Sequence, residues 1–190
     1  IHKFLEENLK EGMCLGFDGR TVSGEEADQL KKILQKKQIR FSVNEDLIGE
    51  IWQDRPALSC EPVMELDVKW AGKSRADKIQ EIRTKLKEKG ASLFVLTSLD
   101  DIAWLLNIRG NDIHCCPVVL SYLVMDEKEI RLFANEKAFP ESVKKALSAD
   151  GLTIYPYNDI YDYVQIISGE KKIYLSRSNV NSRLISNIPE

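Results

Sequence analysis

The sequence predicts an α/β fold, a mixed β-sheet flanked by helices, and three observations carry that prediction. Short apolar runs of strand length alternate with segments of helical period along the 190 residues. Helix starts carry capping residues at the right spacing, Ser23 with Glu26 and Ser74 with Asp77. Two apolar runs flank Asp126-Glu127-Lys128, a hairpin signal that makes the sheet mixed rather than purely parallel.

The elements follow in order. Residues 4–12 read as the end of a helix and its turn, and 13–17 as a short strand. A helix starts near Glu25, with Ala27, Leu30, Ile33 and Leu34 on one face. Residues 39–43 alternate as a strand does. Residues 46–52 read as a short helix whose apolar side is Leu47, Ile48, Ile51 and Trp52, stopped by Asp54-Arg55-Pro56. Residues 56–72 hold two prolines and no sustained period, so they read as an extended connector pinned by Val63, Leu66 and Trp70. The domain boundary is expected there, with one unit over 1–72 and a second over 73–190.

The second unit opens on a helix with Ile79, Ile82 and Leu86 as its inward stripe and Gly90 as its left-handed stop. A strand at 93–96 follows. Thr97 or Ser98 then caps a helix over 100–106, whose opening acids favour the positive end of its dipole. Strands at 118–125 and 129–134, a helix at 141–149 begun by Pro140, a strand at 152–155, a helix at 160–167 and a strand at 173–175 complete the alternation. Residues 179–188 read as a last helix or as partly irregular. The first unit shows only strand–helix–strand–helix and reads as the back half of a similar α/β domain.

Bulk properties narrow the function. Hydrophobic residues make up 43% and charged residues 30%, enough apolar material for a sizeable core. A net charge of -3, with lysines interleaved among acids, argues against a nucleic-acid protein. No apolar stretch approaches the roughly 20 residues of a membrane helix, and no signal peptide is visible. The chain opens at Ile1 in what reads as helix, so it is taken for a piece of a longer protein. Cys14, Cys60, Cys115 and Cys116 match no zinc or redox spacing and suit a reducing cytoplasm. Cys115-Cys116 is weighed as a redox switch against two small apolar fillers in a strand, and the strand reading is preferred because a ring between neighbours is strained.

Chemistry-bearing patterns are sparse. His2 and His114 are the only histidines and form no HExxH, and no GxSxG, P-loop or GxGxxG occurs. Arg109-Gly110-Asn111-Asp112 is the exception, because it lies between a helix and a buried strand. In one reading Arg109 projects its guanidinium toward a carboxylate on a substrate or neighbouring domain. In the other it is a helix-end bend: Gly110 supplies positive φ, Arg109 meets the negative end of the dipole, and Asp112 caps locally. Trp52, Trp70 and Trp104 read as core or interface anchors, with Trp52 and Trp104 on the apolar faces of their helices. Tyr155, Tyr157, Tyr161 and Tyr163 read as an amphipathic strand–helix edge.

DLIGEIWQDRP at 46–56, KIQEIR at 78–83 and LDDIAWLLNIRGNDI at 99–113, followed by PVVLSY at 117–122, resemble in order the large three-domain Xaa-Pro aminopeptidases (aminopeptidase P). The resemblance covers nearly the whole chain. It implies the end of the first and most of the second creatinase/prolidase-type N-terminal domain, with a catalytic domain lying beyond Glu190. It implies that two divalent metal ions, usually manganese, belong to that domain, so no catalytic or metal-binding residue and no cofactor is assigned to this chain. The implied parent reaction removes the N-terminal residue of a peptide with proline second, a metal-bridging hydroxide attacking the imide carbonyl. The N-terminal domains would wall the active site and limit substrate length, with Arg109 and Asp112 as candidates near the substrate. The implied partners are the catalytic domain and the peptide, in a cytoplasmic parent that can pair as a homodimer. One departure stands out: the family tends to have Asn-Pro-Val-Phe where this chain has Cys116-Pro117-Val118-Val119. A stand-alone binding or scaffold domain of the same fold is the alternative, and a creatinase-like or dipeptidase relative acting on another C–N bond is a third reading.

Overall fold

The computed structural model describes residues 1–167 and 169–189. The chain forms two compact units, one from Ile1–Pro56 together with Ser176–Pro189 and the other from Ala57–Leu175.

In the first unit α1 (His2–Asn8) and β1 (Cys14–Gly16) precede α2 (Gly24–Leu34), β2 (Arg40–Ser42) and α3 (Leu47–Ile51). The Ser23 side chain accepts from Glu26 N, the cap expected from sequence. β1 and β2 pair in parallel through α2, whose Ala27, Leu30 and Leu34 are buried. The expected apolar side of α3 is not packed: Leu47, Ile48, Ile51 and Trp52 are all exposed. A single turn and a half of helix has too little surface to bury all four, and Trp52 instead stacks under the Arg55 guanidinium, 5.5 Å from its ring centroid.

The second unit starts earlier than the sequence suggested, at Ala57 rather than after Gly72. The connector is held to this unit by hydrogen bonds. Val63, only 2% exposed, donates from its backbone N to Ala138 O at 2.8 Å, and Asn135 Nδ2 donates to Ser59 O at 2.8 Å. Inside the connector lie β3 (Met64–Glu65) and α4 (Val68–Ala71). Then come α5 (Arg75–Glu88), β4 (Leu93–Leu96), α6 (Leu99–Leu106), β5 (Ile108–Arg109), β6 (Ser121–Met125), β7 (Ile130–Ala134), α7 (Glu141–Ala149), β8 (Leu152–Tyr155), α8 (Ile160–Gln165) and β9 (Ile173–Tyr174).

The main sheet has the order β8-β7-β6-β4-β9. β6 is antiparallel to β4 and β7, whereas β7–β8 and β4–β9 are parallel, so the sheet is mixed as predicted. Ile79 and Leu86 of α5, Ile102, Leu105 and Leu106 of α6, and Val143 and Leu147 of α7 share a core with Leu123, Met125, Ile130 and Leu132 on one face. On the other face the Tyr122 ring meets Tyr157 and Tyr161, and the Phe133 ring meets Tyr155 and Tyr163. β6 is therefore buried along its whole length, which is why SYLVM is almost continuously apolar rather than alternating. The strand itself begins at Ser121, so Cys115 and Cys116 lie outside it and the strand-filler reading fails.

After β9 the chain returns to the first unit as α9 (Ser182–Asn187). Gly24 N donates to Val180 O at 2.8 Å and Ser182 N to Val22 O at 2.7 Å, while Val180 and Leu184 are buried. Sequence reading had left this segment in the 73–190 unit, because local pattern does not reveal where a chain returns.

Candidate functional site

The site is built around the C-terminal end of α6. Asn107 stops the helix in the left-handed region, with φ 51, where asparagine is one of the few tolerated side chains. β5 then pairs antiparallel with β3, Met64 opposite Arg109 and Glu65 opposite Ile108.

Three cations converge on carbonyls at and just beyond the end of the helix. Arg109 Nη1 donates to Ala103 O at 3.0 Å and to Ile108 O at 2.8 Å. Lys78 Nζ donates to Trp104 O at 2.8 Å and to Asn107 Oδ1 at 2.6 Å. Arg75 Nη1 donates to Leu106 O at 2.9 Å. Positive charge at this end of a helix meets its negative pole. Arg75 and Lys78 are themselves buried, at 6% and 2% exposure. Arg75 is neutralised by Asp150, 2.6 Å from its Nε, and by Glu65, 2.9 Å from its Nη2. Burial holds the Lys78 ammonium below the usual lysine range, and the Arg109 and Lys73 charges push in the same direction. Its Nζ also lies 4.5 Å from the Trp104 ring centroid. Trp104, Trp52 and Trp70 are all exposed, so the reading of them as core anchors is corrected. Trp104 instead covers a buried cation with one face of its ring.

Beyond β5 the chain folds back on itself. Asp112 Oδ2 accepts from Leu120 N at 2.7 Å, and Asp112 N donates to Val118 O at 3.3 Å. Gly110 sits where Val118 and Val119 pass close by, and its φ is not positive. The helix-end reading of this motif is thus partly realised. Arg109 meets the dipole and Asp112 caps locally, but Asn107 rather than Gly110 takes the left-handed turn.

Arg109 and Asp112 have different partners, Arg109 the carbonyls of Ala103 and Ile108 and Asp112 the backbone N of Leu120. A depression of about 530 Å³ opens near them, lined by Glu65, Leu66, Ser74, Arg75, Asn107 and Asp150, and includes neither. Among the described residues no group of three or more His, Cys, Asp or Glu side chains is arranged to hold a metal. The donors present do not fit a metal pair. What the arrangement can do is hold a rigid loop and present part of a guanidinium fork. Sequence reasoning missed Arg75, Lys78 and Asn107. A usable signal existed: Arg75 and Lys78 continue toward the helix start the stripe drawn by Ile79, Ile82 and Leu86.

A mixed sheet covered by helices, with a braced loop after one of them, defines an α/β domain. The sequence pattern of the creatinase/prolidase N-terminal domain matches residues 54–190, and the chain belongs to that family. Relatives include the Xaa-Pro aminopeptidase 1 of Dictyostelium discoideum, 34% identical over 204 residues, covering 100% of this chain and 32% of that protein. Aminopeptidase P1 of Arabidopsis thaliana is 30% identical over 174 residues, covering 91% of this chain and 27% of the relative. The solved structure of X-prolyl aminopeptidase from Caenorhabditis elegans, a cytosolic enzyme with a di-nuclear active site, superposes with a TM-score of 0.91 at 31% identity. It covers 100% of this chain and 32% of its own. The chain therefore spans between about a quarter and a third of the length of the relatives it matches.

Proposed function

We propose that this chain is the non-catalytic N-terminal segment of a metal-dependent Xaa-Pro aminopeptidase. In that reading it walls the active site of the parent enzyme and restricts the size of the peptide that enters. The observation that carries the reading is the match of the whole chain, at a TM-score of 0.91, to about a third of an X-prolyl aminopeptidase. The chain covers the end of the first and most of the second N-terminal domain of its parent. Its partners are the catalytic domain and a peptide with proline second. The two divalent ions, manganese in this reading, are held by the catalytic domain, and the parent works in the cytoplasm and can pair as a homodimer.

Arg109 and Asp112 are the residues proposed to lie nearest the substrate. Among the described residues only Nη1 of the Arg109 fork is engaged, which leaves the remaining donors for a carboxylate. Asp112 acts by positioning, since its carboxylate fixes the loop at Leu120.

The test is a comparison of Xaa-Pro peptides of increasing length on the full parent enzyme and on a version lacking residues 1–189. The intact enzyme should discriminate by length, and the shortened one should lose that discrimination while still cleaving the shortest peptide. The isolated chain should neither turn over peptide nor bind metal stoichiometrically. Stoichiometric metal with turnover in the isolated chain overturns the proposal.

A further inference from the structure

Cys115 and Cys116 are adjacent, and both are free thiols. Their exposure separates them from the packed interior: Cys115 is exposed and Cys116 half-buried. The four residues from Ile113 to Cys116 reverse the chain, with Cys116 N donating to Ile113 O at 3.0 Å. The base of the loop is fixed. Gly110 N donates to Pro117 O at 3.4 Å and Asp112 Oδ2 accepts from Leu120 N. Two neighbouring thiols are thus presented at the tip of a braced loop, where no packing requirement explains them. Cys115 also occupies the left-handed region, with φ 59, which a non-glycine residue enters only at a cost.

We propose that Cys115 and Cys116 form a reversible oxidation site whose substrate is a hydroperoxide. The more exposed Cys115 sulfur, as thiolate, attacks a peroxide oxygen. The O–O bond breaks, and the departing oxygen takes up a proton and leaves as water or an alcohol. Cys115 is then a sulfenic acid. The Cys116 sulfur attacks the Cys115 sulfur, an S–S bond forms, and the sulfenic oxygen leaves as water with the Cys116 proton. Two electrons pass from the two thiols to the peroxide, which is the only oxidant required.

The ring so formed is strained. Neighbouring Cα atoms are about 3.8 Å apart across a trans peptide, while an ordinary disulfide spans at least about 4.4 Å. A strained, accessible disulfide is easily reduced again, so the pair is suited to a switch rather than a staple. This inference does not depend on the peptidase reading.

The experiment uses the chain with Cys14→Ser and Cys60→Ser, both at exposed positions, so that the pair supplies the remaining thiols. After stoichiometric hydrogen peroxide, alkylation and digestion, mass spectrometry should find the 115–116 peptide lighter by two hydrogen atoms and closed to alkylation. Dithiothreitol should restore both thiols. In the same background C116S should stop at a sulfenic acid that dimedone captures. Phenylarsine oxide, which bridges paired thiols with loss of water, should bind once per chain and block the oxidation. The inference is overturned if Cys115 proceeds to sulfinic acid while Cys116 stays alkylatable, if the main product is a disulfide-linked dimer, or if thiol loss is no faster than in C116S. Circular dichroism of each variant distinguishes these outcomes from unfolding.

Discussion

At Gly110 an added Cβ would lie 2.7 Å from Val119 Cγ2 and 2.8 Å from Val118 O. A backbone oxygen cannot move aside as a flexible side chain can. Gly110→Ala should therefore destabilise the second unit by about 1–3 kcal/mol, the range for overpacking a fixed contact. Thermal denaturation followed by circular dichroism reads this directly, and an unchanged midpoint would mean that the loop relaxes freely. The motif around Gly110 also marks how far single residues could be read. The sequence singled out Arg109, Gly110 and Asp112 correctly as a structured bend. It gave the left-handed turn to Gly110, although Asn107 holds it. Both residue types favour that conformation, and only the approach of Val118 and Val119 shows what Gly110 is there for. That approach is a contact between separate segments, which no local spacing encodes.

At the scale of elements, α6 is the piece around which the candidate site is organised. Its carbonyl end is satisfied by Arg75, Lys78 and Arg109, drawn from two different elements. Replacing Lys78 by Met removes the donor to Trp104 O and to Asn107 Oδ1, and leaves the buried Asn107 oxygen without it. Lys78→Met should cost about 2 kcal/mol at neutral pH. The loss should grow as pH rises toward the ordinary lysine value. The folded chain releases the Lys78 proton more readily than the unfolded chain, so the wild type gains stability as pH rises from the lowered folded value to the unfolded one, whereas the Met variant has nothing to titrate there. Urea titrations at neutral and alkaline pH measure both, and equal stability of the two proteins at neutral pH would refute the role given to Lys78. Element existence was legible because caps and apolar stripes are local: α2, α5 and the hairpin β6–β7 all stand where expected. Buried cations on α5 were not, since lysine and arginine read as solvent-facing until their partners on another helix are known.

At the scale of the whole molecule, the two units should respond separately to acid. In the first, Asp46 is held down to a pKa of about 2, chiefly by the Arg55 guanidinium, then by Gly49 N, with Arg20 adding to it. Arg20 also lowers the Asp18 carboxyl. The unfolded chain binds protons that these carboxylates refuse, so the stabilisation is complete above about pH 4. It is lost as pH falls from there toward about 2. Melting the protein across this range should lower the transition of the first unit, and D46N should flatten that dependence. A pH profile unaltered in D46N would show that the ion pairs contribute nothing. The chain forms two compact units, and their limits follow from contacts that no local pattern carries. Val63 and Ser59 fix the connector to the second unit through Ala138 and Asn135, residues far along the chain, and the sequence carries no local trace of that pairing.

The return of Ser176–Pro189 to the first unit has a consequence for biosynthesis. The leading segment leaves the ribosome first, yet its buried partners Val180 and Leu184 are translated after every residue of the second unit. The later-made unit can therefore close while the earlier-made one is still waiting, so the order of folding runs against the order of translation.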